Sequence, residues 1–282
     1  MNIKYKIVFL IPVFEAADCV EDYIQNIHTI CPNSAILFHV NSLSSDEYYK
    51  SIERLCEYYS FCYLFPFRYP SNWGDGWITR VYIEMQGWAL NNLEFDYIYY
   101  TASNSLIVNP NLENVIYNYD VNYWGVSEKK DGDWWEIISQ DKILFKYSQN
   151  VYFTSMEGVL FNKKYSEVLV NELVNVLNYE PYPYPTEEYW LATAYKKLEK
   201  IHNWNNGGFC MERWAHVSDG CIYDYQFDVD IVEDYVVHLI TNSKYDILSD
   251  MKIYSLKRVT RDYNNFLRKT IREHFNYSNV LF

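Results

Sequence analysis

Along the first hundred residues, continuous apolar runs alternate with stretches of helical periodicity. Tyr5 to Phe14 is one such run, rich in Ile, Val and Phe, and predicts a central parallel strand buried on both faces. Asp18-Cys-Val-Glu21 behind it resembles a capping box, and Val20, Tyr23, Ile24 and Ile27 follow at helical spacing. Ala35 to Val40 predicts a second strand. A helix from about Ser45 comes next, with Ile52, Leu55, Cys56 and Tyr59 as its apolar stripe. Phe61 to Phe67 predicts a third strand, Asn72-Trp-Gly-Asp-Gly76 a loop, and Ile78, Val81, Tyr82, Met85 and Ala89 a third helix. Tyr97 to Ala102 reads as a fourth strand. Such alternation predicts an α/β fold with a Rossmann-like, doubly wound sheet. Ligands of such sheets sit beyond the carboxyl ends of the strands, so the loops after Val13, Val40, Phe67 and Ala102 are the first places to look for a site.

The second half is less regular. Asn122 to Val126 and Val151 to Phe161 predict strands, separated by a polar loop from Glu128 to Trp135. Tyr165, Val168, Leu169 and Leu173 mark a helix. Pro181-Tyr-Pro-Tyr-Pro185 is a stiff extended segment, after which Thr186 caps a new helix with Glu187 and Glu188 in its first turn. Leu256, Val259, Tyr263, Phe266, Leu267 and Ile271 form a last helical stripe flanked by Arg261, Arg268, Lys269 and Arg272. There is no repeat and no low-complexity linker. The chain therefore reads as a single domain, 1–282, with an N-terminal half of about 1–107, a second half of about 108–250 and a basic C-terminal helix over 251–282.

Composition narrows the picture. With 282 residues the chain is long enough for a sizeable core. The 30 Tyr and 9 Trp are read mainly as core filling, with stacking on sugar rings as the functional alternative for a few. The net charge of −13 argues against a nucleic-acid partner, which needs a basic field. That charge is uneven: residues 251–282 carry seven basic residues against Asp262 and Glu273. The six cysteines show no metal-like spacing and are expected to be reduced and mostly buried. Without a signal peptide or a membrane-length apolar run, the chain is expected to be cytoplasmic. For the basic C-terminal segment two settings stand: docking on the acidic remainder of the protein, or contact with anionic lipid.

No glycine-rich dinucleotide or Walker loop is present. Glu187 and Glu188 complement a helix dipole in the plain reading; in the sharper one, one of them is a general base facing a cleft. Asp131-Gly-Asp133 is a turn former that either stays solvated or lays Trp134 or Trp135 against a ligand. Arg213 is either a cation for a diphosphate or a surface ion-pair partner, and His39 is a satisfied strand-end histidine.

Several segments in order resemble the core-2/I-branching N-acetylglucosaminyltransferase family, which includes xylosyltransferases. Ile36-Leu-Phe-His-Val-Asn41 resembles its strand ending in His-x-Asp, and Asn72-Trp-Gly-Asp75 its Trp-Gly-Gly segment. Tyr97 to Leu106 resembles its Leu-Ser-Gly-x-Asp-x-Pro strand. Ser155-Met-Glu-Gly-Val-Leu-Phe-Asn-Lys-Lys-Tyr165 resembles its Gly-Ser-x-Trp strand with the Ser-Arg-Glu-Phe after it. Thr186 to Thr193 resembles its Pro-Asp-Glu-x-x-Trp-Ala-Thr helix, and Ser255-Leu-Lys-Arg-Val259 its Phe-Ala-Arg-Lys-Phe. Departures fall at Asn41, Asn104, Gly158, Thr186, Glu187 and Leu191, and bear on donor and acceptor identity more than on reaction type.

The resemblance implies a metal-independent, inverting transferase of the GT-A type acting on a UDP-sugar and a saccharide hydroxyl, free or lipid-linked, in glycan or surface polysaccharide synthesis. It places the catalytic base at Glu188 and the diphosphate cations at Lys257 and Arg258. On this reading Val13, Asn41 and Arg213 complete the donor side, while Trp73, Asn104, Trp134 and Glu157 face the acceptor. No cofactor and no metal are expected, because the triplet Ser103-Asn104-Ser105 stands where metal-dependent nucleotide-sugar transferases carry Asp-x-Asp. Two rivals remain. One is a metal-dependent family-2-type transferase, because Ile11-Pro-Val-Phe-Glu15 resembles that group's opening strand too. The other is a carbohydrate-binding protein without catalysis.

Overall fold

A computed structural model describes residues 4–72, 74, 77–132, 134–177, 182–209, 211–214 and 229–282; for 213, 214 and 229–234 it describes the backbone alone. The first hundred residues form β1 (Lys4–Val13), α1 (Ala17–Ile30), β2 (Ser34–Val40), α2 (Asp46–Tyr58), β3 (Cys62–Leu64), α3 (Ile78–Asn92) and β4 (Glu94–Tyr100), as the pattern predicts. The third strand is shorter than its apolar run. Next come β5 (Leu106–Ile107), α4 (Leu112–Val115), β6 (Val121–Asn122), β7 (Ser127–Lys129), α5 (Trp135–Ile138), α6 (Lys142–Tyr147), β8 (Val151–Phe153) and β9 (Val159–Asn162). The chain continues with α7 (Lys163–Leu173), α8 (Thr186–Glu199), β10 (Glu212–Trp214), α9 (Val229–Thr241), α10 (Tyr245–Asp250), β11 (Ser255–Lys257) and α11 (Phe266–Phe275).

Six strands form one sheet in the order β3-β2-β1-β4-β9-β6. The first four run parallel and β9 lies antiparallel to β4. Alternate residues of β1 divide the core between the sheet's faces. Ile7, Phe9 and Ile11 pack with α1, α2, α9 and α11; Val8 and Leu10 pack with α3, α7 and α8. A two-sided layer arrangement follows directly from a β1 that is apolar at almost every position. Buried tyrosines, including Tyr23, Tyr99, Tyr100, Tyr123 and Tyr165, fill both layers, in keeping with the core-filling reading.

Other local expectations change, and the strand expected over Asn122–Val126 spans only Val121–Asn122. The run Val151–Phe161 is two strands, not one, broken at Thr154–Gly158 and shared between two sheets. Glu21 makes no capping box; its carboxylate is fully buried and accepts the main-chain N–H groups of Val280, Leu281 and Phe282 and the Tyr59 hydroxyl. Thr186 does not cap α8, and its hydroxyl instead accepts from the Thr79 N–H at 3.4 Å. The C-terminal helix begins only at Phe266, because Leu256 lies on β11 and Arg258 turns the chain through a left-handed conformation, φ 60°.

Within α11, Arg268 and Arg272 both reach inward to Asp22, at 2.6 and 3.1 Å, and Arg261 ahead of the helix pairs with Glu15. Arg261, Arg268 and Arg272 thus pair with carboxylates of the protein body, and Arg268 and Arg272 are not available to a lipid surface. Cys19, Cys31 and Cys62 are buried free thiols and Cys56 is half-buried; Cys210 and Cys221 lie outside the described residues. Among the described residues, no helix is long and apolar enough to cross a membrane.

Candidate active site

β1 and β4 are neighbours in the sheet, yet β1 continues through α1 on one face while α3 brings the chain to β4 across the other. Their carboxyl ends therefore flank the point where the winding reverses, and ligands of open α/β sheets bind in the crevice outside such strand ends. Glu15, two residues past β1 and 2% exposed, accepts the Ser103 hydroxyl at 3.1 Å and pairs with Arg261 Nε at 2.7 Å. Ser105 donates its hydroxyl to the carboxylate of Glu212, which the Thr101 hydroxyl approaches at 3.5 Å. Between the two serines, the Asn104 carbonyl accepts the Val259 N–H at 2.9 Å. The polar triplet after β4 is thus sewn to the segment 257–259, which brings Lys257 and Arg258 to the strand end. The left-handed backbone of Arg258 costs about 1–2 kcal/mol. The ladder of β11 before it and the Val259 bond after it hold it in place.

The opposite wall combines the Thr154–Gly158 turn with the start of α8. Thr154 N–H donates to the Glu188 carbonyl and Gly158 N–H to the Tyr100 carbonyl, both at 2.9 Å. Gly158 has φ +77°, and a Cβ there would lie 2.9 Å from the Glu212 backbone nitrogen. Only glycine lets this turn close against β10. The turn presents Glu157, whose Oε1 pairs with the Lys257 ammonium and whose Oε2 accepts the Ser155 hydroxyl at 3.0 Å. Rigid entry through Pro185 sets Glu187 and Glu188 in the first turn of α8, Glu187 buried and Glu188 half-buried.

Four carboxylates thus share one space with Lys257. Burial, reinforced by the Glu157 charge, pushes Glu187 up to about 7. Glu212 is likewise pushed up to about 7, mainly by burial, with the Ser105 hydrogen bond acting against it. Glu188 rises well above the ordinary carboxylate range through burial and the charges of Glu187 and Glu157, opposed by Lys257 and Arg258. Glu157 goes the other way. Burial opposes its ionisation, but Lys257 and the Ser155 hydroxyl hold it below the usual range. The site therefore holds acids of two kinds, one kept ionised by its cation and three inclined to keep a proton.

The structure brings Glu188, Glu157, Asn104, Lys257 and Arg258 together around this crevice. Arg213 lies on β10 beside them, paired with Leu256 of β11, but its side chain is outside the described residues, as is Trp73. Val13 sits at the end of β1 with its side chain wholly in the core, so only its backbone borders the crevice. Asn41 is buried and ties its loop to the one before α3, donating to Asn72 Oδ1 at 3.0 Å and accepting from Leu43 N–H at 2.9 Å. Trp134 is not a free loop tip. Its ring packs over Gly74, with a backbone φ of 68°. Asp131 is exposed; Asp133 is outside the described residues. His39 is buried and neutral, held down to about 3 by burial, and accepts the Tyr69 N–H at 3.0 Å.

Sequence reasoning missed Glu15, Glu212 and Arg261. Glu15 carried a usable signal, being a lone acid directly after the first strand. Glu212 and Arg261 stand beside Arg213 and Arg258, which the sequence reading does place at the site, but no pattern of their own set them apart. Among the described residues, no group of three or more His, Cys, Asp or Glu side chains is arranged to hold a metal ion.

No family model matches the chain, and neither does any curated protein. Its fold is similar to solved glycosyltransferase structures at low identity. The mannosyltransferase PcManGT from Pyrobaculum calidifontis, in complex with GDP-Man and Mn2+, aligns at 13% identity and TM-score 0.36 over 58% of this chain and 46% of that one. An active-site mutant of LgtC aligns at 9% and 0.44 over 95% of each chain. The apo form of the glycosyltransferase GlyE from Streptococcus pneumoniae TIGR4 aligns at 12% and 0.40 over 97% of this chain and 60% of that one. The chain thus spans less than half of the first structure and under two thirds of the third. Likeness at this level assigns no donor, metal or stereochemistry.

Proposed function

We propose that the protein is an inverting glycosyltransferase that moves a sugar from a UDP-sugar to a saccharide hydroxyl, with cations of the chain taking the charge of the leaving diphosphate. One observation carries this reading. The strand end after β4 offers hydroxyls and an amide, and the fold docks Lys257 and Arg258 on it through the Asn104–Val259 bond, opposite an acidic helix start. Glu188 takes the proton of the acceptor hydroxyl as that oxygen attacks the anomeric carbon in line. The glycosidic bond to the diphosphate breaks on the far side, and Lys257 and Arg258 stabilise the charge that builds on the β-phosphate oxygen. The guanidinium of Arg258 suits two phosphate oxygens at once.

Thermal-shift screening against UDP-, GDP- and CMP-sugars identifies the donor class, since a ligand that binds only the folded state raises the melting temperature. With that donor, Glu188→Gln is expected to lower transfer by roughly 10²–10⁴-fold, the usual contribution of a general base, while donor affinity stays near wild type. Wild-type turnover in this variant would remove Glu188 as the base and bring Glu187 forward.

A further inference from the structure

Lys257 is not waiting as a bare charge. Its ammonium pairs with Glu157, and the two side chains are only 14% and 23% exposed. The pair is firmly mounted on both sides. Lys257 ends β11, whose strand is laddered to β10 and β5. Glu157 sits in a turn fixed by the Gly158 N–H on the Tyr100 carbonyl, by Asn122 on the Gly158 carbonyl at 3.3 Å, and by the close seat of Gly158 on β10. Its second oxygen is held by Ser155. Lys257 also acts on Glu187, Glu188 and Glu212, favouring the ionised form of each. A diphosphate approaching this cation therefore meets a carboxylate that already holds it, inside an acidic surround.

We propose that Glu157 is an internal competitor for Lys257: it occupies the cation in the free protein and is displaced by the donor diphosphate. The proposal rests on the transferase reading of the site. Exchange of one anion for another keeps the ammonium paired throughout, and the displaced Glu157 carboxylate, 23% exposed, retains the Ser155 hydroxyl. It also frees a carboxylate on the α8 side of the crevice once the donor is seated. Donor binding then precedes formation of the acceptor site, and Glu157 acts as a positioning residue that imposes this order. Glu157, ready to pair with Lys257 again, keeps affinity for a free diphosphate low, which favours release of UDP after transfer.

Calorimetric titration with UDP, uridine and inorganic pyrophosphate tests the idea on the wild type, Glu157→Gln, Glu157→Asp and Lys257→Ala. Glu157→Gln is expected to bind UDP and pyrophosphate at least about tenfold more tightly than wild type, a gain of about 1.4 kcal/mol, and uridine equally well. Glu157→Asp keeps the charge, retracts it by one methylene, and is expected to fall between the two, which serves if the Gln variant does not fold. Unchanged or weaker UDP binding in both Glu157 variants overturns the competition. A parallel change in uridine affinity also overturns it, because a merely structural role would move both ligands. If neither the wild type nor the Glu157 variants bind UDP or pyrophosphate, or if Lys257→Ala binds them as well as wild type, the diphosphate site itself is wrong.

Discussion

Glu212→Gln is expected to stabilise the protein, and to do so only as the pH rises. The Glu212 carboxylate is 2% exposed and its titration lies at about 7 instead of the ordinary 4.5. Between those two values the unfolded chain has released a proton that the native protein still holds. The native state then binds more protons, so raising the pH favours unfolding, and stability is lost from about pH 4.5 to about pH 7. Each pH unit between the two midpoints is worth about 1.4 kcal/mol. The interval therefore amounts to about 3 kcal/mol above pH 7 and to less than about 1 kcal/mol at pH 5. Glutamine keeps an oxygen for the Ser105 and Thr101 hydroxyls. Its amide replaces the donor that the protonated acid already presents, and it cannot ionise. For a chain of this length, about 3 kcal/mol corresponds to a melting-temperature gain of about 5 °C. Differential scanning calorimetry at about pH 5, 6, 7 and 8 should show the gain growing from about 1 °C to about 5 °C. A gain independent of pH would show that the carboxyl titrates alike in the native and unfolded states, and a less stable variant at about pH 8 would show that Glu212 is ionised in the native state and holds Lys257 as a fixed counter-ion.

The same electrostatics shape activity. Because Glu188 must be ionised to accept a proton and is raised by burial and by Glu187, the acid limb of kcat/KM should lie above the ordinary carboxylate range. Glu187→Gln should move that limb to lower pH; a limb near 4.5 in wild type, or one unmoved in the variant, would contradict this. Lys257→Ala combined with Arg258→Ala should weaken UDP binding by about 100-fold, from two charge-assisted bonds of about 1.5 kcal/mol each, as read by calorimetry. Transfer should survive EDTA; loss of activity restored by manganese would favour the metal-dependent rival and direct attention to Glu15 and Glu212, the carboxylates bonded to the strand-end serines.

What the sequence alone determined lies within single segments. Three β-α units, a fourth strand and the positions of Glu187 and Glu188 in the first turn of α8 were legible because periodicity and turn chemistry record burial over about ten residues. The Ser103-Asn104-Ser105 triplet was legible for the same reason, as a polar stop to an apolar run. Only the tertiary structure decided what surrounds that triplet. Ser103 meets Glu15 and Ser105 meets Glu212, across 88 and 107 residues of chain, separations over which no local pattern carries information. The apolar run Val151–Phe161 hid its own break, because the Gly158 turn is required by the backbone of β10 and not by its neighbours in sequence. The stripe from Leu256 onward fits a helix by spacing. It became a strand, a left-handed turn at Arg258 and a shorter helix because β5 and β10 offered Ser255–Lys257 a ladder and Asp22 drew Arg268 and Arg272 inward. Spacing fixes which residues share a face; the partners available across the fold decide which of the permitted structures is kept and which charges end up together.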